Sequence, residues 1–300
     1  MLLYGNRIDV YLGEVVILMS GIADDYIEIT DTRQKQTLLI KLLEQFHELC
    51  EVNGLIYNIF GGTMLGAVRH HGIIPWDDDI DVTMPRKDYI QFIALVKNKY
   101  SNKFNIHVYP DEGYIYPYAK FGMKDTVLYE NEVKRKYNKL SLYIDVFPND
   151  GYPINESVFE KYKKYEDAII LLTYNLPRRR SYFKRMYIGT KKFVYKFWGV
   201  NYFVKKQIQM LSESNEENST YIICQGAGWG KKGKLKKEIY YDRILYEFDG
   251  IKVWGIRDYH NHLTNLYGDY MVPPPEDKRR CPHNTRLFIE SNVYDKYLNS

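Results

Sequence analysis

The sequence predicts a mixed α/β (α+β) fold, with an α/β core over residues 31–150 and a mostly helical second half packed on it. Three observations predict it. A helix-spaced apolar pattern beginning at Asp31 runs into a strand, a glycine turn and a short helix. Acidic and apolar residues then alternate from Asp79 to Met84. Four more short β-prone runs follow before residue 150.

Asp31 is placed to cap a helix, Gln34 stands at its third position, and Leu39, Leu42, Leu43, Phe46 and Leu49 recur at helical spacing. Asn53-Gly54 suits the C-terminal cap. Leu55 to Phe60 reads as a buried strand ended by Gly61-Gly62, and Thr63 to Arg69 suits a short helix. After a turn at Ile74-Pro75-Trp76, the Asp79–Met84 strand points Asp79 and Asp81 to one face and Ile80 and Val82 to the other. Asp77 shares the acidic face if the strand extends that far. Arg86 to Tyr100 is amphipathic through Tyr89, Phe92, Ile93 and Val96. Further strands are expected at Phe104–Tyr109, Tyr116–Phe121, Thr126–Tyr129 and Leu142–Phe147. A helix over Glu156–Leu172, a basic stretch and a tail of short strands with one helix at Asp258–Leu266 complete the chain. Residues 1–30 read as an N-terminal extension, 31–150 as the catalytic core and 151–300 as the extension packed on it.

A chain of 300 residues that is 45% hydrophobic and 27% charged can bury a sizeable core. The longest apolar run near the start, Val15–Met19, falls far short of the roughly 20 residues that span a bilayer. The start also lacks the charged, apolar and small-residue order of a signal peptide, so the expected location is cytoplasmic. Cys50, Cys224 and Cys281 are widely separated and form no CxxC pair, which excludes a zinc knuckle or a disulfide framework. The net charge of +4 is uneven: residues 176–209 hold ten Lys or Arg and no acid, and the remainder carries 32 basic and 38 acidic residues. Thirty tyrosines supply rings with a polar tip, suited to half-wet surfaces such as sugar sites or membrane interfaces.

The chemistry concentrates at Asp77, Asp78, Asp79 and Asp81, which crowd behind a tryptophan among apolar residues. Like charges this close either bind cations or take up protons, and hard divalent ions with oxygen ligands, Mg²⁺ or Mn²⁺, are the natural counter-charge. Asp145, alone in Tyr143-Ile144-Asp145-Val146-Phe147, is the expected third metal ligand beside Asp79 and Asp81. Its structural alternative is the partner of a buried arginine. Gly61 and Gly62 let the backbone approach a phosphate, and the Thr63 hydroxyl and following N–H groups can donate to it. There is no GxxxxGK[ST], so this is not a P-loop.

Strand, Gly-Gly-Thr, a fifteen-residue gap, Asp-Ile-Asp and an isolated strand aspartate together resemble the nucleotidyltransferase superfamily. The fuller text from Gly61 to His70 and from Ile74 to Asp81 resembles its LicD family. The likeness resumes at Tyr143–Gly151, Tyr267–Met271, Pro273-Pro274-Pro275 and Arg279. That resemblance implies a nucleotidyltransferase-like mixed sheet flanked by helices. It also implies transfer of phosphocholine, glycerol phosphate or ribitol phosphate from a CDP-activated donor to a glycan hydroxyl, with CMP released. The residues offer the parts: carboxylate-held metal, a base in Asp77, and cations in Arg69, Arg86, Lys120, Arg279 and His283. Two other readings stand beside it, charging of a sugar or polyol phosphate with NTP and a non-catalytic membrane-associated protein. A DxD glycosyltransferase is disfavoured because it has no place for Gly61-Gly62-Thr63.

Bland readings exist for several of these residues. Asp77 and Asp78 could form a solvated loop, Gly61-Gly62 could merely end a strand, and Arg69 and Arg86 could be surface charges. Tyr267-Gly268 could be a glycine-capped helix end. From Arg178 to Phe203, cations interleave with nine aromatic residues, the composition of an interfacial helix on an anionic membrane. A lipid-linked acceptor would bring the protein to the inner face of the plasma membrane. The competing readings are a helical hairpin whose cations snorkel outward and, last, a nucleic-acid patch.

Overall fold

The computed structural model describes residues 25–152, 157–175, 182–214, 219–281 and 283–299. Most of the expected N-terminal extension, including Val15–Met19, and the start of the basic segment at 176–181 lie outside the described residues. In chain order the first half contains β1 (Tyr26–Ile29), α1 (Thr32–Val52), β2 (Asn58–Ile59), α2 (Gly61–His70), β3 (Asp81–Pro85) and α3 (Arg86–Lys99). It continues with β4 (Phe104–His107), β5 (Ala119–Met123), β6 (Thr126–Glu130), β7 (Lys139–Leu140) and β8 (Tyr143–Gly151). The second half adds α4 (Ser157–Thr173), α5 (Tyr182–Ser212), β9 (Tyr221–Ile223), β10 (Lys234–Lys236) and α6 (Lys237–Tyr241). Then come β11 (Arg243–Phe248), β12 (Ile251–Ile256), α7 (Tyr259–Tyr267), β13 (Thr285–Glu290) and α8 (Tyr294–Leu298).

The cap signals at Asp31 operate as expected: its side chain accepts the Gln34 N–H at 2.8 Å, and α1 ends at Asn53 with Gly54 at φ 64°. Leu38, Leu39, Leu42, Leu43 and Phe46 are fully buried, and each such side chain contributes about 1.5–3 kcal/mol of transfer free energy. Phe46 meets Tyr57 and Phe92 edge-on at 5.0 and 5.1 Å, which fastens α1 and α3 over the strands.

The central sheet has the order β10-β9-β8-β3-β2, with β5 also paired to β8 and β4 to β5. Only β3 and β8 run parallel, with Asp81 opposite Asp145, so the sheet is mixed. A smaller sheet, β1-β13-β6-β7, ties the C-terminal strand to both the start and the middle of the chain. The β11–β12 hairpin turns through Asp249-Gly250, both at positive φ. Asp249 accepts the Ile73 N–H at 2.8 Å, and a Cβ on Gly72 would lie 2.3 Å from its carboxylate, so only glycine permits this docking.

Several expected boundaries move. The strand expected at Leu55–Phe60 pairs over two residues only, and β3 starts at Asp81 instead of Asp79. Asp77 and Asp79 therefore belong to a loop, not to the acidic face of a strand. The reason is tertiary: Gln36 donates to the carbonyls of Ile74 and Asp77, which are thereby withheld from a ladder. The second half is also more interwoven than a helical extension, since β9, β10 and β13 complete the two larger sheets. Among the described residues no helix is long and apolar enough to cross a membrane.

Candidate active site

The acid loop is held in place from several sides. Gln36 grips it from α1, the Asp77 N–H donates to the Ile74 carbonyl at 2.8 Å, and the Asp78 N–H donates to Asp77 Oδ1 at 3.1 Å. Asp78 turns inward, where it is buried against the Lys35 ammonium and His283 Nδ1, the latter at 2.8 Å. At the loop's end the Asp81 N–H donates to Thr63 Oγ1 at 2.8 Å and the Asp81 carbonyl accepts the Phe60 N–H at 3.0 Å. Thus β3 and the first turn of α2 are locked together.

The Gly61-Gly62 turn faces these acids. Gly61 has φ 54°, and a Cβ there would stand 3.5 Å from Asp81 Oδ2 and 3.7 Å from Tyr267 Oη. One on Gly62 would stand 3.2 Å from Asp77 Oδ2. Without side chains, Gly61 and Gly62 bring the backbone opening α2 within close range of the carboxylate cluster, while the Thr63 and Met64 N–H groups are taken by the Phe60 carbonyl at 3.0 and 3.2 Å.

The electrostatics show too little positive charge. Burial, then the charge and hydrogen bond of Asp79, push the Asp77 carboxyl up to about 8. Burial and the charges of Asp79, Asp145 and Asp77 push Asp81 well above the carboxylate range. Asp145 rises to about 6, because burial outweighs the help of Lys120. Asp78 moves the other way: burial would raise it, but the His283 hydrogen bond and Lys35 hold it well below the usual range. Burial tends to lower His283, yet the Asp78 hydrogen bond and the charges of Asp79, Asp78 and Asp77 lift it to about 9. His283 Nε2 lies 3.6 Å from Asp79 Oδ2.

Ligand atoms of Asp77, Asp79 and His283 lie within 4.8 Å of one another, as do those of Asp78, Cys281 and His283. The paired carboxylates of Asp77 and Asp79 suit a hard divalent cation, whereas His283, raised to about 9 and bonded to Asp78, serves there as a cation and not as a ligand. Asp81 and Asp145 sit deeper, side by side on β3 and β8, and among the described residues neither joins these groupings.

The cations expected at the site differ in how free they are. Lys120 is 2% exposed, with Nζ 2.8 Å from Asp145 Oδ1 and 3.8 Å from Glu130, and it lies 3.6 Å from the Tyr143 ring. Asp145 thus has a buried lysine where a buried arginine was the structural alternative. Arg86 is clamped bidentate on buried Asp150, at 2.7 and 2.5 Å, and so serves the β8 scaffold. Thr63 is buried with its oxygen engaged by Asp81. Arg69 donates to the Tyr270 carbonyl at 2.7 Å, and burial, with the charge of Arg279, lowers its guanidinium from its ordinary value. Arg279 lies over Trp76 at 5.4 Å and donates to the Pro274 carbonyl at 2.8 Å. Arg69 and Arg279 are the half-open cations of the rim.

Two contributors escape sequence reasoning: Lys35 and Gln36 look like ordinary first-turn helix residues. Asp78 is open to two readings, as part of the acid cluster or of a solvated loop, and its burial overturns the second. Gly268 does cap α7 with φ 75°, as the bland reading holds, but Tyr267 just before it reaches the acids, and its hydroxyl is raised by burial and by Asp81, Asp77 and Asp79. Its only signal was the motif it belongs to. Trp229 stands edge-on to Tyr267 at 4.9 Å, in an aromatic cluster with Phe60, Phe147 and Tyr118. Behind the acid loop a cavity of about 250 Å³ is lined by Lys35, Asp78, Cys281 and His283.

Residues 54–187 match the family described as LicD/FKTN/FKRP, nucleotidyltransferase domain. The chain is 28% identical over 264 residues to the lipopolysaccharide cholinephosphotransferase LicD of Haemophilus influenzae, covering 86% of this chain and 97% of that protein. It is 33% identical over 133 residues to an uncharacterized protein of Rickettsia typhi, covering 44% of this chain and 41% of that one. An uncharacterized protein of Rickettsia prowazekii is 33% identical over 122 residues, covering 40% and 42%.

Proposed function

We propose, from the premise that this chain is a LicD-family phosphotransferase, that it moves a substituted phosphate from a CDP-activated donor to a hydroxyl of a cell-surface glycan or its lipid-linked precursor, releasing CMP. The observation that carries the reading is the convergence of Asp77 and Asp81, with Asp79 beside them, on the side-chain-free Gly61-Gly62 turn. The relative's name supports phosphocholine as the group moved, with glycerol phosphate and ribitol phosphate as the competing donors' groups.

Asp79 and Asp81, with Asp145 opposite Asp81 as the third expected ligand, would hold Mg²⁺ or Mn²⁺, which would supply charge neutralisation at the donor diphosphate. The remaining work belongs to the chain. The Gly61 and Gly62 N–H groups opening α2 would receive phosphate oxygens, and Arg69 and Arg279 on the rim spread the charge that develops as CMP leaves. Protonated His283, fixed by Asp78, adds a cation beside Asp79. Asp77, at the mouth against Gly62, would take the proton of the acceptor hydroxyl in its ionised form, which a cation held by the neighbouring acids favours. The cluster around Trp229 and Tyr267 offers apolar faces for the donor's base or head group.

The experiment is product analysis with CDP-choline, CDP-glycerol and CDP-ribitol in turn, each with Mg²⁺ or Mn²⁺ and a glycan acceptor. CMP release that depends on acceptor and metal supports the reading. Pyrophosphate release from CTP and a polyol phosphate would instead make the chain a nucleotidyltransferase.

A further inference from the structure

The helical hairpin of α4 and α5 carries a surface that no part of the described protein covers. Gly199, at φ 73° and ψ 164°, breaks α5 into two arms. The later arm buries Phe203, Val204 and Leu211, and the first two of these pack with Ala168, Ile169 and Leu172 of α4. The earlier arm turns Met186, Tyr187, Phe193, Val194, Phe197 and Trp198 outward, each 48–77% exposed. At the helical advance of about 100° per residue these six fall within one arc of about 140°, the width of an apolar face that should be covered.

Basic residues stand beyond both edges of this arc. Lys191 flanks it with Nζ 4.7 Å from the Tyr187 ring. Lys196 and Lys192 fall about 60° and 100° past its other edge, where they crowd Lys134, whose ammonium falls to about 8 through burial and then through these two neighbours. Among the described residues no carboxylate ion-pairs with Lys134, Lys192 or Lys196. Like charges are thus held together beside exposed rings, an arrangement relieved by an anionic partner.

We propose that the earlier arm of α5 docks the protein on an anionic lipid bilayer surface, its aromatic side chains at the headgroup boundary and its lysines over lipid phosphates. The pairing of an apolar arc with lysines along the rest of the helix and no acid is that of a helix lying in the interface. A second copy would also cover the arc, but two-fold pairing would set one lysine cluster near another. A nucleic acid would satisfy the cations and leave Met186 and Val194 in water. The hairpin that carries this arm is continuous with the candidate site: Tyr116 packs in the hairpin's apolar cluster, and Lys120 Nζ lies 4.5 Å from the Tyr116 ring. The inference does not depend on which donor the enzyme uses.

The test is sedimentation of the whole chain with vesicles of phosphatidylcholine alone and of phosphatidylcholine with phosphatidylglycerol. Binding is expected to the second kind only, and to weaken as salt rises. A Phe193→Ser/Phe197→Ser/Trp198→Ser variant should lose about tenfold or more in partitioning, and Lys192→Gln/Lys196→Gln a similar factor, with the circular-dichroism melt of each retained. If the triple variant fails to fold, the lysine pair carries the test. Absence of binding to anionic vesicles, or undiminished binding of the variants, overturns the proposal. So does light scattering that finds a lipid-free dimer dissolved by the same serine substitutions.

Discussion

Replacing Lys120 by methionine tests how the centre of the site is held together. Lys120 is 2% exposed and its ammonium lies 2.8 Å from Asp145 and 3.8 Å from Glu130. Methionine keeps most of the volume among the Tyr116 and Tyr143 rings but removes the cation, leaving Asp145 buried with Asp79 and Glu130 as charged neighbours. Removing one partner of a buried pair costs about 3–5 kcal/mol, a large part of the 5–15 kcal/mol that a folded protein has. Adding Asp145→Asn to Lys120→Met takes away the stranded charge and should restore about half of the loss. Asp145→Asn alone should cost less than Lys120→Met, because Glu130 remains near the ammonium. Urea denaturation followed by tryptophan fluorescence would give the four stabilities and their coupling. A Lys120→Met protein within about 1 kcal/mol of the parent, or a double variant no more stable than Lys120→Met, would refute the reasoning. If turnover survives Asp145→Asn, Asp145 serves the scaffold and not the reaction.

Other expectations concern the acids, the glycine turn and a buried histidine. Asp79→Asn and Asp81→Asn should each lower metal-dependent turnover by about 10²-fold or more while leaving thermal stability equal or higher, since like-charge repulsion falls; unchanged turnover in either variant sinks the metal assignment. Gly62→Ala places a methyl 3.2 Å from Asp77 Oδ2 and should reduce kcat without a change in the melt, measured by CMP release, and parental kcat would mean the turn is not part of the site. His262, buried beside Phe60 and lowered to about 4 by burial, stays neutral in the fold while the unfolded chain takes up a proton near 6.5. Its folded pKa is the lower one, so the unfolded state binds more protons between 6.5 and about 4. Stability should fall with pH across that window by on the order of 3 kcal/mol. His262→Phe should flatten the acid limb of the urea midpoint plotted against pH, and an unchanged slope would show that His262 is not its source.

What the sequence determined by itself was local. The Asp31 cap, the Leu39–Leu49 spacing and the Asn53-Gly54 stop yielded α1 almost to the residue, because a cap and a helical stripe are written within a few positions. The Gly61-Gly62-Thr63 text and the crowded aspartates marked the site for the same reason. Tertiary structure decided the partners. Lys120 meets Asp145 across the β5–β8 pair, Arg86 meets Asp150 sixty-four residues away, and His283 meets Asp78 over a separation of 205. Which of these charges neutralise one another follows from strand register and from which loops a side chain such as Gln36 holds. So Asp78 and Arg86, read from sequence as surface or ligand-binding charges, serve as anchors, while Tyr267, read as part of a helix end, stands at the acids. Periodicity reveals which face is buried, but a buried charge acquires its role from the group opposite it, and that is a property of the assembled sheet.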